Sequence, residues 1–105
     1  MKNRTFSISQ FVKHLHAGEL FSVEAEIVDR GERSVQRVGR ISKVNGRYRA
    51  EAELFDFIKA DEADAIIGDY PTLNDATTSL EAYVENLVIW ENAERRTHKM
   101  ACRVY

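Results

Sequence analysis

The side chains of this chain that could do chemistry are mostly charged, and they are sorted along the sequence. Arg30, Arg33, Arg37, Arg40, Lys43, Arg47 and Arg49 fall in one stretch whose only acid is Glu32. Residues 50–94 then carry twelve acids against one base, Lys59. Arg95, Arg96, Lys99 and Arg103 follow, with no acid among residues 95–105. A net charge of −2 thus conceals a polarised chain. Polarity of this kind governs association more than fold.

Arginines on adjacent strands can hold phosphates at a spacing the sheet fixes, and a nearby tyrosine can stack on a base. Arg37, Arg40, Lys43, Arg47 and Arg49, with Tyr48 among them, form such a candidate nucleic-acid surface. The competing reading is an outer sheet face kept charged for solubility and against edge pairing. Glu51 and Glu53 favour that second reading by partial neutralisation. Coplanar, unpaired arginines would support nucleic-acid binding; arginines neutralised by the neighbouring acids would weigh against it.

The acids offer the opposite chemistry. Asp61, Glu62, Asp64, Asp69, Glu81 and Glu85 are the candidate acidic face for a basic partner, such as the nucleic-acid channel of a larger complex. The competing reading is a set of solvated helix faces, with some acids placed at helix N-termini. Asp61-Glu62-Ala63-Asp64 lacks the alternating ligands and closing glutamate of a calcium loop.

No metal or catalytic site is expected. His14 and His16 are two apart and diverge on a helix. His98 and Cys102, on the strand expected there, would lie about 13 Å apart. Neither pair has the further ligands of a structural zinc. Gly-rich phosphate loops and nucleophile elbows are absent. Cys102 reads as a small buried hydrophobe, and carboxylate pairs are too common here to discriminate. The expectation is a non-enzyme without cofactor.

At 105 residues, 44% of them hydrophobic and 30% charged, the chain is expected to form one globular domain, residues 1–105. A lone cysteine makes no internal disulfide. The longest apolar run, Leu87-Val88-Ile89-Trp90, is far too short to span a membrane. The N-terminal residues have no signal-peptide core. These features together read as a cytoplasmic protein.

The elements that must position the charges follow from periodicity. Ser7 and Gln10 have the spacing of a capping box, flanked by Phe6 and Phe11 as a hydrophobic staple. Ile8, Phe11, Val12 and Leu15 recur at helical spacing before Gly18, which predicts a helix over 8–17. From Leu20 the period becomes two: Phe21, Val23, Ala25 and Ile27 alternate with polar residues, the pattern of a strand. Residues 29–33 read as a turn and 35–44 as a second strand. Asn45-Gly46 predicts a two-residue type I′ hairpin, which sets Val44 against Arg47, Ile41 against Ala50 and Arg40 against Glu51.

Beyond Phe57 a short helix from Asp61 to Ile67 is expected, ended by Gly68. Thr78 to Glu81 forms a second capping box, opening the stripe Leu80, Tyr83, Val84, Leu87 and Val88. Ile89 and Trp90 fall off that stripe, so helix and strand compete at 87–90; a helix to Asn92 is preferred. Alternation in residues 98–104 predicts a closing strand. The expected architecture is a two-layer α+β sandwich: N-terminal helix, three-stranded antiparallel meander, one or two helices, and a C-terminal strand.

This order of helix, three strands and helix resembles the double-stranded RNA-binding domain. That family holds phosphates with a lysine cluster at the start of its last helix. The corresponding stretch here, Asp75 to Glu81, has no base, so the resemblance stops at element order and implies no function. The resulting expectation is a small interaction protein, an inhibitor or regulator of phage or mobile-element type, acting on a nucleic-acid-handling complex. Its partner would be a protein or protein–nucleic-acid complex and not a membrane. Direct nucleic-acid binding by the basic hairpin is the alternative. Self-association as a homo-oligomer, with one copy's hairpin on another's acidic helix, is the third reading.

Overall fold

The computed structural model describes residues 6–16, 18, 20–53 and 65–104, with residues 65 and 94–104 described by their backbone alone. Among the described residues five strands and one helix follow in chain order: β1 (Ser7–His16), β2 (Leu20–Asp29), β3 (Glu32–Val44), β4 (Arg47–Ala52), β5 (Ala65–Tyr70) and α1 (Leu73–Val104). The strands form one antiparallel sheet in sequence order, and α1 packs on one face of it. The α+β class is as expected. The element list is not.

The expected N-terminal helix is β1. Its register against β2 slips between Ile8 and Gln10, leaving Ser9 as a bulge. A bulge adds one residue to a strand and so turns a spacing of two into three. Ile8 and Phe11 therefore sit on the same sheet face, opposite Ile27 and Ala25, although three residues apart. That displaced period imitates a helical stripe. Lys13 and Leu15 continue the inner face, while Val12 lies on the outer one, opposite Glu24.

The expected three-stranded meander becomes five strands, through β1 on one side and β5 on the other. Its central hairpin pairs Val44 with Arg47, Ile41 with Ala50, and Arg40 with Glu51. Asn45 and Gly46 take the positive φ of 53° and 77° that a type I′ turn needs. Arg30 and Gly31, at 56° and 81°, make the same turn between β2 and β3.

Of the helix expected over 61–67, residues 61–64 lie outside the described residues. Ile66, Ile67 and Gly68 belong to β5, where another bulge lets Ile67 pack on the core while Ile66 stays exposed. The last helix begins earlier than its expected capping box. Thr72 is the N-cap: its Oγ1 accepts from the Asp75 backbone N–H at 3.1 Å, just after Pro71. α1 then runs through 87–90 and past Asn92 to Val104, so the expected C-terminal strand is helix. Alternation over so few residues did not outweigh continuation of a formed helix, which adds one hydrogen bond per residue ordered.

Leu80, Val84 and Val88 are buried as the stripe requires, with Tyr83 and Leu87 half-buried beside them. They pack on Val23, Ala25 and Ile27 of β2, Val38 and Ile41 of β3, and Ala50 and Ala52 of β4. Small residues line the track beneath the helix. A Cβ added to Gly39 would stand 2.5 Å from the Glu51 carbonyl and 2.9 Å from the Leu80 side chain. α1 lies mainly over β4 and β5 and only skirts β1, so a groove is left along that flank.

Candidate interaction site

The outer sheet face gathers the basic candidates, and the register supplies each arginine with a carboxylate or carbonyl. Arg40 Nε lies 2.9 Å from Glu51 Oε1, and Arg37 Nε 3.0 Å from Glu53 Oε1. Arg49 holds Asp69 with two hydrogen bonds, Nε to Oδ1 at 2.8 Å and Nη2 to Oδ2 at 3.1 Å. Arg47 donates to the Asp69 backbone carbonyl at 3.3 Å. Arg33 pairs with Glu26, which also accepts from Ser9. Lys43 lies on the other face, its Nζ 5.6 Å from the Tyr48 ring centroid.

Two titrations follow the same pairing. The hydrogen bond from Arg49 holds the Asp69 carboxyl below the usual range, and Asp69 in turn raises Arg49. Ser9 and then Arg33 hold Glu26 down, against the opposing effect of burial. Exposed pairs of this kind contribute little to stability, but together they leave the arginines of this face compensated.

The acidic candidates are not one surface. Asp61, Glu62 and Asp64 lie outside the described residues. Asp69 sits on the outer sheet face with Arg49. Glu81 and Glu85 remain together, one turn apart on the flank of α1 that faces β1. Burial raises the Glu81 carboxyl above its usual range, opposed by Lys13 and reinforced by the like charge of Glu85. No cation pairs with Glu85 among the described residues.

Beside these acids runs a groove of about 420 Å³, lined by Phe6, Ser7 and Ile8 from β1 and by Glu85, Val88, Ile89 and Asn92 from α1. Asn92 closes one end. Its Nδ2 donates to the Phe6 carbonyl at 2.9 Å, and its Oδ1 accepts from the Phe6 N–H at 3.2 Å. A side-chain amide thus serves Phe6 as a neighbouring strand would. Ile89 is 65% exposed.

Among the described residues β1 is an edge strand, paired only with β2. Lys13 points inward from it, donating to Thr77 Oγ1 at 3.3 Å and lying 5.9 Å from the Phe21 ring centroid. Val12 and Leu15 are exposed, Leu15 to 66%. Charge-block reasoning missed β1, Ile89 and Asn92 because β1 precedes the charged blocks and Ile89 and Asn92 carry no charge. The inward lysine among Phe11 and Leu15 was the available signal, since an edge strand often carries one.

The segment holding His98 and Cys102 is helical, so the separation expected on a strand does not apply; their side chains lie outside the description. Among the described residues no three histidine, cysteine, aspartate or glutamate side chains converge. No described helix is long and apolar enough to cross a membrane. No protein family, curated protein or solved structure matches this chain.

Proposed function

We propose that this protein is a non-catalytic interaction module that binds a basic protein surface through the flank formed by α1 and β1. The observation that carries the reading is the contrast between its charges. The described outer-face arginines are met by carboxylates or a carbonyl, whereas Glu81 and Glu85 stand together beside an exposed apolar groove. A carboxylate pair that repels itself and is partly desolvated gains from an incoming cation more than a compensated pair does. Basic surfaces of this kind line the phosphate channels of nucleic-acid-handling complexes. Occupying such a channel is the act of an inhibitor or regulator.

The test is a salt titration with an oligo-lysine peptide and with duplex DNA, each followed by calorimetry. The peptide is expected to bind in low salt, to weaken as ions screen the acids, and to be lost in the double variant Glu81→Gln, Glu85→Gln. Duplex binding that falls steeply with salt and vanishes on charge reversal of Arg40, Arg47 and Arg49 would overturn the reading in favour of the basic hairpin.

A further inference from the structure

We propose that the edge of β1 that no described strand covers, over residues 8–16, takes an extended segment of the partner protein as an added strand, with alternate side chains of that segment set against Glu81, Glu85 and the Ile89 groove. The proposal rests on the basic-partner reading above and specifies the partner's form. Strand addition of this kind draws affinity from main-chain hydrogen bonds and specificity from pockets for every second side chain.

The geometry matches in direction and in step. Glu81 lies by Lys13, and Asn92 holds Phe6, so α1 runs antiparallel to β1 along this flank. Glu81, Glu85 and Ile89 are successive i, i+4 positions, each about 6 Å further along the helix. Every second residue of a strand advances about 6.8 Å. A strand laid antiparallel to β1 therefore presents one inward side chain per helix turn. The complementary order is basic, basic, apolar, with the apolar residue entering beside Ile8 and Ile89.

A second copy of this chain is the competing occupant, and it matches the two glutamates less fully. In a two-fold β1 pair centred on Val12, the two Lys13 side chains would lie diagonally opposite on the same face. Each copy would then bring one lysine to the other's flank, where the basic segment brings two. A second copy therefore leaves one of the two glutamates without a new cation, whereas a foreign basic strand serves both.

The probe is a synthetic peptide of about ten residues alternating threonine with lysine, lysine and leucine in that order. Its control is the same peptide N-methylated at alternate amides, which keeps every charge and removes the edge donors. The unmodified peptide is expected to bind and to protect β1 amides from hydrogen exchange. The methylated one should bind about tenfold more weakly, the equivalent of two or three hydrogen bonds. Equal affinity of the two peptides would overturn strand addition and leave the basic-partner reading standing. Failure of both peptides, with oligo-lysine also unbound, would overturn both readings. Protein that is already dimeric, with β1 amides protected before any peptide is added, would assign the edge to a second copy and overturn the proposal.

Discussion

Glu81 and Asp69 are acids of one chain whose surroundings move them in opposite directions, so they contribute oppositely to stability as pH changes. Asp69 is held down by Arg49, and its stabilisation is present above the ordinary carboxylate range and lost as pH falls below about 4. Glu26 behaves likewise. Glu81 is raised by burial, so its ionisation costs stability at neutral pH, and that cost disappears as pH falls through its folded value. Glu81→Gln is accordingly expected to melt above the parent protein at pH 7, with the difference shrinking towards pH 4. A difference that does not change with pH would sink this account. The same variant loses partner binding under the proposal, so a gain in stability would separate the two effects. Gly39 has a different constraint, because an added Cβ meets backbone at 2.5 Å. Gly39→Ala should cost about 1–3 kcal/mol by urea unfolding. At Gly68 the nearest atom is the Tyr70 hydroxyl at 3.1 Å, the end of a side chain that can move, and the cost of Gly68→Ala should be smaller.

At the scale of elements, β1 shows how much of the fold was legible in the sequence. The central hairpin was legible to the residue pair, because Asn45-Gly46 admits one turn geometry and the turn sets the register. The stripe of α1 was legible because three buried positions recur at helical spacing. β1 was not, because its bulge replaces the period of two at the point where a period is read. Of the site, Glu81 and Glu85 were legible as charges, but the groove depends on Phe6 and Asn92, 86 positions apart in sequence. If the bulge alone displaces the period, deleting Ser9 should keep Ile8 and Phe11 facing the core and cost little beyond its exposed hydrogen bond to Glu26. Deleting Val12 would instead turn one part of β1 over and should be far more damaging. Equal melting temperatures for the two deletions would refute the bulge as the cause.

At the scale of the whole molecule, folding undoes much of the polarity written along the chain. The basic block lies largely on β3 and β4, and the meander sets Glu51, Glu53 and Asp69 of the acidic block directly beside it. Sequence blocks of opposite sign become cross-strand pairs, so the sheet's outer face presents a short-range alternation of sign and little long-range field. This compensation can be removed without touching an arginine. The triple variant Glu51→Gln, Glu53→Gln, Asp69→Asn should release Arg37, Arg40 and Arg49 and create duplex-DNA binding where the parent protein shows little. Its log–log salt slope should be about −3, the value for three or four phosphate contacts. The arginines would then be a surface held silent by their neighbours. If the parent protein already binds duplex with that slope, the carboxylates do not silence the face, and the paired arginines exchange partners freely enough to read phosphate themselves.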